Sequence, residues 1–165
     1  MFGCGTVYSL NIGGINIINI YSNSNIAIDQ PLFNDLIENM NNQKIIIMGD
    51  FNSHHPLWDK TPTNTGGKNI SDFFFKNELI VMNDGSHTLF QNTNNNSSAV
   101  DLTMISSQLA LYCAWKVIYD CGNSNHFPTS LTYEINNNNF ATCFINRYQL
   151  NNFKKADLDL FLRKF

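Results

Sequence analysis

Two runs of mostly strand-like residues, 6–12 and 15–21, flank Gly13-Gly14 near the start of the chain. Two residues that tolerate positive φ between such runs predict a β-hairpin. Ile15 and Ile17 alternate only imperfectly with Asn16 and Asn19, so both faces of the second strand are expected to be partly buried. Over 31–40, Leu32, Leu36, Ile37 and Met40 form a helical stripe, with Pro31 suited to a first turn. The uninterrupted apolar run Ile45-Ile46-Ile47-Met48 predicts a short buried strand ending at Gly49. Residues 59–69 contain Pro62, Gly66 and Gly67 and read as a surface loop. A helix is expected over 70–77, with Ser71 and Asp72 early and Phe74, Phe75 and Leu79 apolar. Strands are expected over 79–82, 88–91, 99–105, 115–119 and 127–134, and a short helix over 107–112. A last helix over 157–164 would carry Leu158, Phe161, Leu162 and Phe165 on its apolar face. No internal repeat is visible, and strands alternating with helices suit an α/β layered domain.

A length of 165 residues fits one domain with a sizeable core. Charged residues make up 14% of the chain, low against about 25% in ordinary globular proteins. Asparagine fills much of the polar quota, with clusters at 94–96 and 136–139 that read as loops. The net charge of -3 argues against a broad electrostatic nucleic-acid binder. A compact cleft needs few cations, and Lys60 and Lys68 could touch a nucleic-acid backbone or simply be solvated loop charges. Cys4, Cys113, Cys121 and Cys143 form no Cys-x-x-Cys pair, which argues against a zinc site and for reduced thiols in an intracellular protein. There is no signal-peptide pattern and no apolar run of membrane-spanning length, so neither secretion nor a membrane partner is expected.

Candidate chemistry concentrates where the buried strand ends. Asp50 and Asn52 are two residues apart, and in an extended chain they would point to one face. A carboxylate there can orient and deprotonate a water, and an amide beside it can hold that water or a phosphate oxygen. An ordinary Asp/Asn turn closing a strand has the same pattern.

Gly49-Asp50-Phe51-Asn52 resembles the signature of the endonuclease/exonuclease/phosphatase family. With His54-His55-Pro56-Leu57-Trp58 attached, it is similar to the endonuclease domain of jockey-type non-LTR retrotransposons. Further pieces follow in the family's order: Asn83-Asp84-Gly85-Ser86 with Thr88, then Ser98-Ala99-Val100-Asp101-Leu102-Thr103. Trp115-Lys116-Val117 comes next, before Ser124-Asn125-His126-Phe127-Pro128, which resembles the terminal Ser-Asp-His-Phe-Pro motif. Asn152-Phe153-Lys154-Lys155-Ala156-Asp157 is similar to the segment that follows this domain in such elements. The resemblance runs from about Thr6 onward. It implies a layered two-sheet β-sandwich flanked by helices over 1–145, a linker-like segment over 146–165, and Mg²⁺- or Mn²⁺-dependent hydrolysis of DNA phosphodiester bonds. The family role implies a nuclear location and a fused reverse transcriptase, of which no motif is present in this chain.

By that resemblance Asp50 would activate or align the water, Asn52 would orient it or the phosphate, and His126 would contact a non-bridging phosphate oxygen. Asp101 would hold the imidazole in one tautomer, and Tyr21 would sit at the phosphate. Thr88 and Asn125 would touch substrate. Each has a plainer alternative: Asp101 as a strand cap, Tyr21 as a half-buried strand aromatic, His126 as a loop residue. His54 and His55 look like a metal pair, but adjacent residues point to opposite faces when extended, which favours support of the loop.

Several departures bear on activity. The family's first strands carry an Asn and a metal-binding Glu, and the resemblance begins after them, so no metal ligand is assigned. Weakened metal binding and an open sheet edge are expected. Asn125 stands where the family has Asp, which removes a charge and a proton acceptor. His87 replaces a usual Pro, and Leu89 a frequent Arg. The expectation is therefore an impaired, truncated endonuclease domain. Its alternatives are an inactive remnant that binds DNA weakly and, further off, a phosphodiesterase on small or lipid phosphates.

Overall fold

The computed structural model describes residues 6–22, 43–91, 96–120, 122, 124–136 and 139–145. The helices expected over 31–40 and 157–164, and the segment 146–165, lie outside the described residues. Strands β1 (Thr6–Ile12) and β2 (Ile15–Tyr21) form the expected hairpin. Gly13 and Gly14 close it at φ of 56° and 82°, the left-handed pair that a type I′ turn demands.

Strand β3 (Lys44–Asp50) runs parallel to β2 and antiparallel to β7 (Asp101–Ser106), which carries β4 (Leu79–Val81) on its other side. The five-stranded sheet has the order β1-β2-β3-β7-β4. Ile45 through Asp50 are all buried, because this central strand is covered on both faces, and that explains its unbroken apolar run. Ile45 and Ile47 join Ile18, Ile20, Leu102 and Met104 against Ile70, Phe73 and Phe74 of helix α1 (Thr65–Lys76), with Trp58 in the same cluster. Ile46 and Met48 join Ile15 and Ile105 in a second cluster with Leu109 and Leu131. That cluster lies against a second sheet made of β8 (Cys113–Val117), β9 (Thr129–Asn136) and β10 (Asn139–Ile145), with β9 in the middle. Trp115 Nε1 donates to Thr103 Oγ1 at 3.1 Å, bridging the two sheets. The layers are thus helix, sheet, sheet, in accord with the expected α/β sandwich. A 3₁₀ helix, Ser107–Tyr112, links β7 to β8.

One strand besides β10 escaped the sequence reading. Strand β6 (Asn96–Ser98) pairs with β5 (Leu89–Gln91) as a separate ribbon, although its Asn-Ser-Ser composition has little strand propensity. The ribbon meets the second sheet's lead-in through a bridge between Leu89 and His126.

The helix begins at Thr65, five residues before the expected start, and so removes 65–69 from the expected surface loop. Asn64 caps it, its Oδ1 accepting from the Gly67 N–H at 2.7 Å. Gly66 and Gly67 are not turn markers here. A Cβ on Gly67 would lie 1.9 Å from the His54 carbonyl oxygen, and one on Gly66 2.5 Å from Ser53 Oγ. The first helical turn is pressed onto the loop that follows β3: at Gly67, where the obstacle is main chain, only glycine fits, whereas at Gly66 the Ser53 hydroxyl would have to turn aside.

The rest of that loop is also less superficial than expected. Asp59 is 4% exposed. His54 Nδ1 lies 2.6 Å from Asp59 Oδ2, Thr61 Oγ1 donates to the same oxygen at 2.7 Å, and the Lys60 N–H donates to Oδ1 at 2.8 Å. Burial pushes the Asp59 carboxyl up, but these hydrogen bonds outweigh it and hold the group below the ordinary carboxylate value. A depressed folded-state value means that the stabilisation is complete above the unfolded-state value, and is lost as pH falls through the folded one. Asp59→Asn is therefore expected to cost about 1–3 kcal/mol at neutral pH. It should also flatten the loss of stability below about pH 4, as read by urea unfolding across pH.

Candidate active site

Strand register brings Tyr21, Asp50 and Asp101 side by side. Tyr21 is the partner of Asp50 across β2 and β3, and Asp50 is the partner of Asp101 across β3 and β7. Partners in register project from one face of a sheet. Two and four residues back along the same strands, the rows read Asn19-Met48-Thr103 and Ile17-Ile46-Ile105. The polar trio is thus the end of the face that forms the inter-sheet core.

His126 comes to the trio from the loop ahead of β9. Its Nδ1 lies 2.9 Å from Asp101 Oδ2 and 3.2 Å from Oδ1. The two side chains are 9% and 20% exposed, so the pair is largely shielded from water. The loop is held firmly: the His126 N–H donates to Ser124 Oγ at 3.0 Å, the Phe90 N–H to the Asn125 carbonyl at 2.8 Å, and the Phe127 N–H to the Thr88 carbonyl at 2.7 Å. Asn125 is exposed beside His126.

Asp101 is fixed from behind. Thr88 Oγ1 accepts from the N–H groups of Val100 and Asp101 at 3.1 and 3.0 Å. Asn83 Nδ2 donates to the Asp101 carbonyl at 2.9 Å, and its Oδ1 accepts from the Thr103 N–H at 2.9 Å. Thr88, expected to touch substrate, is placed behind Asp101. Its side chain has no exposed surface, and its hydroxyl serves the backbone at the start of β7.

The arrangement at Asp50 and Asn52 also differs from the extended geometry expected. Asn52 is left-handed, with φ of 48°, a conformation that asparagine tolerates better than most residues. The kink turns the Asn52 N–H onto Asp50 Oδ1 at 3.1 Å, and sends Nδ2 to the Ser22 carbonyl at 2.8 Å. Ser22 in turn donates its N–H to the Asp50 carbonyl at 2.8 Å. Asn52 therefore stays beside Asp50 through hydrogen bonds rather than through strand periodicity. Ser22 and Asn64 are site-building residues that the sequence reading missed. An Asn immediately ahead of a helical apolar pattern is an N-cap signal that could have found Asn64. Ser22 acts through its main chain and leaves no signal.

One ligand atom each from Asp50, Asp101 and His126 lie within 4.8 Å of one another, a grouping that the sequence reading did not assign to a metal. Two carboxylates and an imidazole suit a divalent cation, and Mg²⁺ in particular takes one or two carboxylates with waters. His54 and His55 are not part of that group among the described residues. His54 is engaged with Asp59, and His55 packs on Trp58 with ring centroids 5.1 Å apart, while Trp58 Nε1 donates to the Ser53 carbonyl at 3.0 Å. Lys60 and Lys68 are exposed. Among the described residues no helix is long and apolar enough to cross a membrane.

Residues 15–130 match the sequence model of a family described as endonuclease-reverse transcriptase. Solved structures with similar folds include the endonuclease domain of TRAS1, a telomere-specific non-LTR retrotransposon, at 20% identity and a TM-score of 0.60, covering 73% of this chain and 57% of that one. The 3′ phosphatase NExo from Neisseria, bound to product DNA hairpin, matches at 17% identity and 0.59, covering 78% and 64%. An endonuclease/exonuclease/phosphatase family protein from Leptotrichia buccalis matches at 20% and 0.50, covering 77% and 52%. These likenesses establish the endonuclease/exonuclease/phosphatase fold, and the chain spans between about half and two-thirds of each relative. No curated protein matches the sequence.

Proposed function

The chain belongs to the endonuclease-reverse transcriptase family, and on that footing we propose that it hydrolyses phosphodiester bonds of DNA with Mg²⁺ or Mn²⁺, as the endonuclease domain of a non-LTR retrotransposon. The observation that carries this reading is the row Tyr21-Asp50-Asp101 closed by His126 at one end of the inter-sheet face. Asp50 and Asp101, with His126 at their side, are the residues that would hold the cation. A bound divalent ion neutralises charge on the phosphate and makes a coordinated water more acidic.

The chain's own groups divide the remaining work. Asp50 accepts a proton from the attacking water as its oxygen bonds to phosphorus and the bond to the leaving oxygen breaks. Asn52 orients that water or the phosphate. His126 has Nδ1 committed to Asp101, which fixes the tautomer and offers Nε2 to a non-bridging oxygen. The Tyr21 hydroxyl lies along the same row for a further phosphate contact.

Asn125 supports a slow enzyme. It neighbours His126 but lacks the carboxylate the family has there, and general acid–base groups are worth about 10²–10⁴ in rate. Asn125→Asp is expected to raise turnover by at least about tenfold. A second reading, weak DNA binding without turnover, is favoured by the same residue, and it would gain if Asn125→Asp stayed inert. DNA is the partner in both. On the same reading the domain would act in the nucleus, with residues 1–145 as its catalytic unit and 146–165 as a linker-like segment of the kind that precedes a reverse transcriptase.

The test compares rates on duplex DNA, bis(p-nitrophenyl) phosphate and an inositol phosphate, with Mg²⁺ and with chelator. Chelator-sensitive cleavage that favours DNA supports the proposal. Preference for a small phosphodiester would redirect it.

A further inference from the structure

We infer that Asn64 is a positioning residue for Asn52, an inference that rests on the hydrolytic reading above for its catalytic consequence. One side-chain amide makes three ties. Oδ1 accepts from the Gly67 N–H at 2.7 Å and from the His54 N–H at 3.1 Å, and Nδ2 donates to the Asn52 carbonyl at 3.3 Å. The Asn64 N–H adds a fourth by donating to the His54 carbonyl at 3.1 Å. A helix cap needs only the first of these. The other three grip the loop immediately after β3, on both sides of Ser53.

That loop needs a grip because it holds an uncommon conformation. Asn52 sits at φ of 48°, a region that costs about 1–2 kcal/mol for most residues with a Cβ and less for asparagine. Its side chain is drawn to the Ser22 carbonyl on one side, and its own carbonyl is drawn to Asn64 on the other. The peptide is thus clamped between β2 and the N-terminus of α1. The fit is close: Gly67 leaves no room for a Cβ against the His54 main chain. The helix therefore serves as the anvil against which the Asn52 kink is set, with Asn64 as the connecting group.

Asn64→Asp separates the two roles. Asp caps a helix as well as Asn does, so the bonds from Gly67 and His54 survive. What is lost is the donor to the Asn52 carbonyl, replaced by an oxygen that repels it. In ¹⁵N spectra of the full chain, Gly67 should keep its amide protection, while the backbone and Nδ2 resonances of Asn52 shift and its side-chain protons exchange faster. On DNA, kcat should fall about 10- to 100-fold with KM unchanged, the scale of a misplaced catalytic group. In an Asn52→Ala background the same change should leave kcat where it is. Unmoved Asn52 resonances would overturn the inference whether or not the protein turns over. Equal kcat losses in both backgrounds would overturn it as well, since they mark a merely structural residue. Shifted Asn52 resonances in a protein without turnover would sustain the positioning role and overturn the hydrolytic reading instead.

Discussion

His126→Ala is expected to lower the rate of DNA cleavage by about 10²–10³-fold while the chain stays folded. The imidazole touches Asp101 at 2.9 Å and lies at the end of the inter-sheet face rather than within either apolar cluster. Its removal takes away a phosphate contact and leaves the partly exposed Asp101 carboxylate without its imidazole, a cost of about 1–3 kcal/mol in stability. That is a minor share of the roughly 5–15 kcal/mol by which domains are stable. Asp101→Asn should cause a loss at least as large, because the amide removes a charge that would hold the cation and can present either its oxygen or its NH₂ to Nδ1, so the tautomer is no longer fixed. Rates on plasmid DNA beside thermal melting curves check both. A rate loss matched by a collapse in melting temperature would assign His126 to structure instead.

Gly49→Ala is expected to cost more than about 3 kcal/mol and to abolish activity together with stability. Gly49 has φ of 150°, and a Cβ there would meet the Ile20 carbonyl oxygen at 1.8 Å and the Ile20 carbonyl carbon at 2.7 Å. Both are main-chain atoms of the neighbouring strand, so no side chain can swing aside. Relief requires β3 to part from β2, which separates Asp50 from Tyr21 and opens the cluster that Ile18 and Ile20 share with α1. Gly13→Ala is the control. Its φ of 56° is also left-handed, but nothing lies within 4 Å, so only the conformational cost of about 1–2 kcal/mol remains. Urea unfolding of the two variants measures the difference. Similar losses would mean that β3 accommodates the Cβ and that the β2–β3 contact is looser than described.

Much of this fold can be read locally. Gly13-Gly14 between two apolar runs announces the hairpin, and four consecutive apolar residues announce β3, because turn chemistry and two-sided burial act over a few residues. The start of α1 is less legible. Gly66 and Gly67 are helix-weakening residues, and only the close approach of the 53–54 loop explains them. Strand β6 is held by its pairing with β5 and not by its own composition. At the site, the order of motifs pointed to Asp50, Asp101 and His126, but their meeting depends on strand register and on a bridge between Leu89 and His126. Thr88 shows the converse. Its place in a motif suggested substrate contact, whereas its complete burial assigns it to the backbone of β7.

The most direct test is the nicking of supercoiled plasmid by the purified chain with Mg²⁺, beside chelator and Asp50→Ala controls, once circular dichroism shows both proteins folded. The account predicts slow nicking that chelator stops and that Asp50→Ala abolishes. A folded chain that leaves the plasmid intact, or an Asp50→Ala variant that nicks as well as the parent, would contradict it.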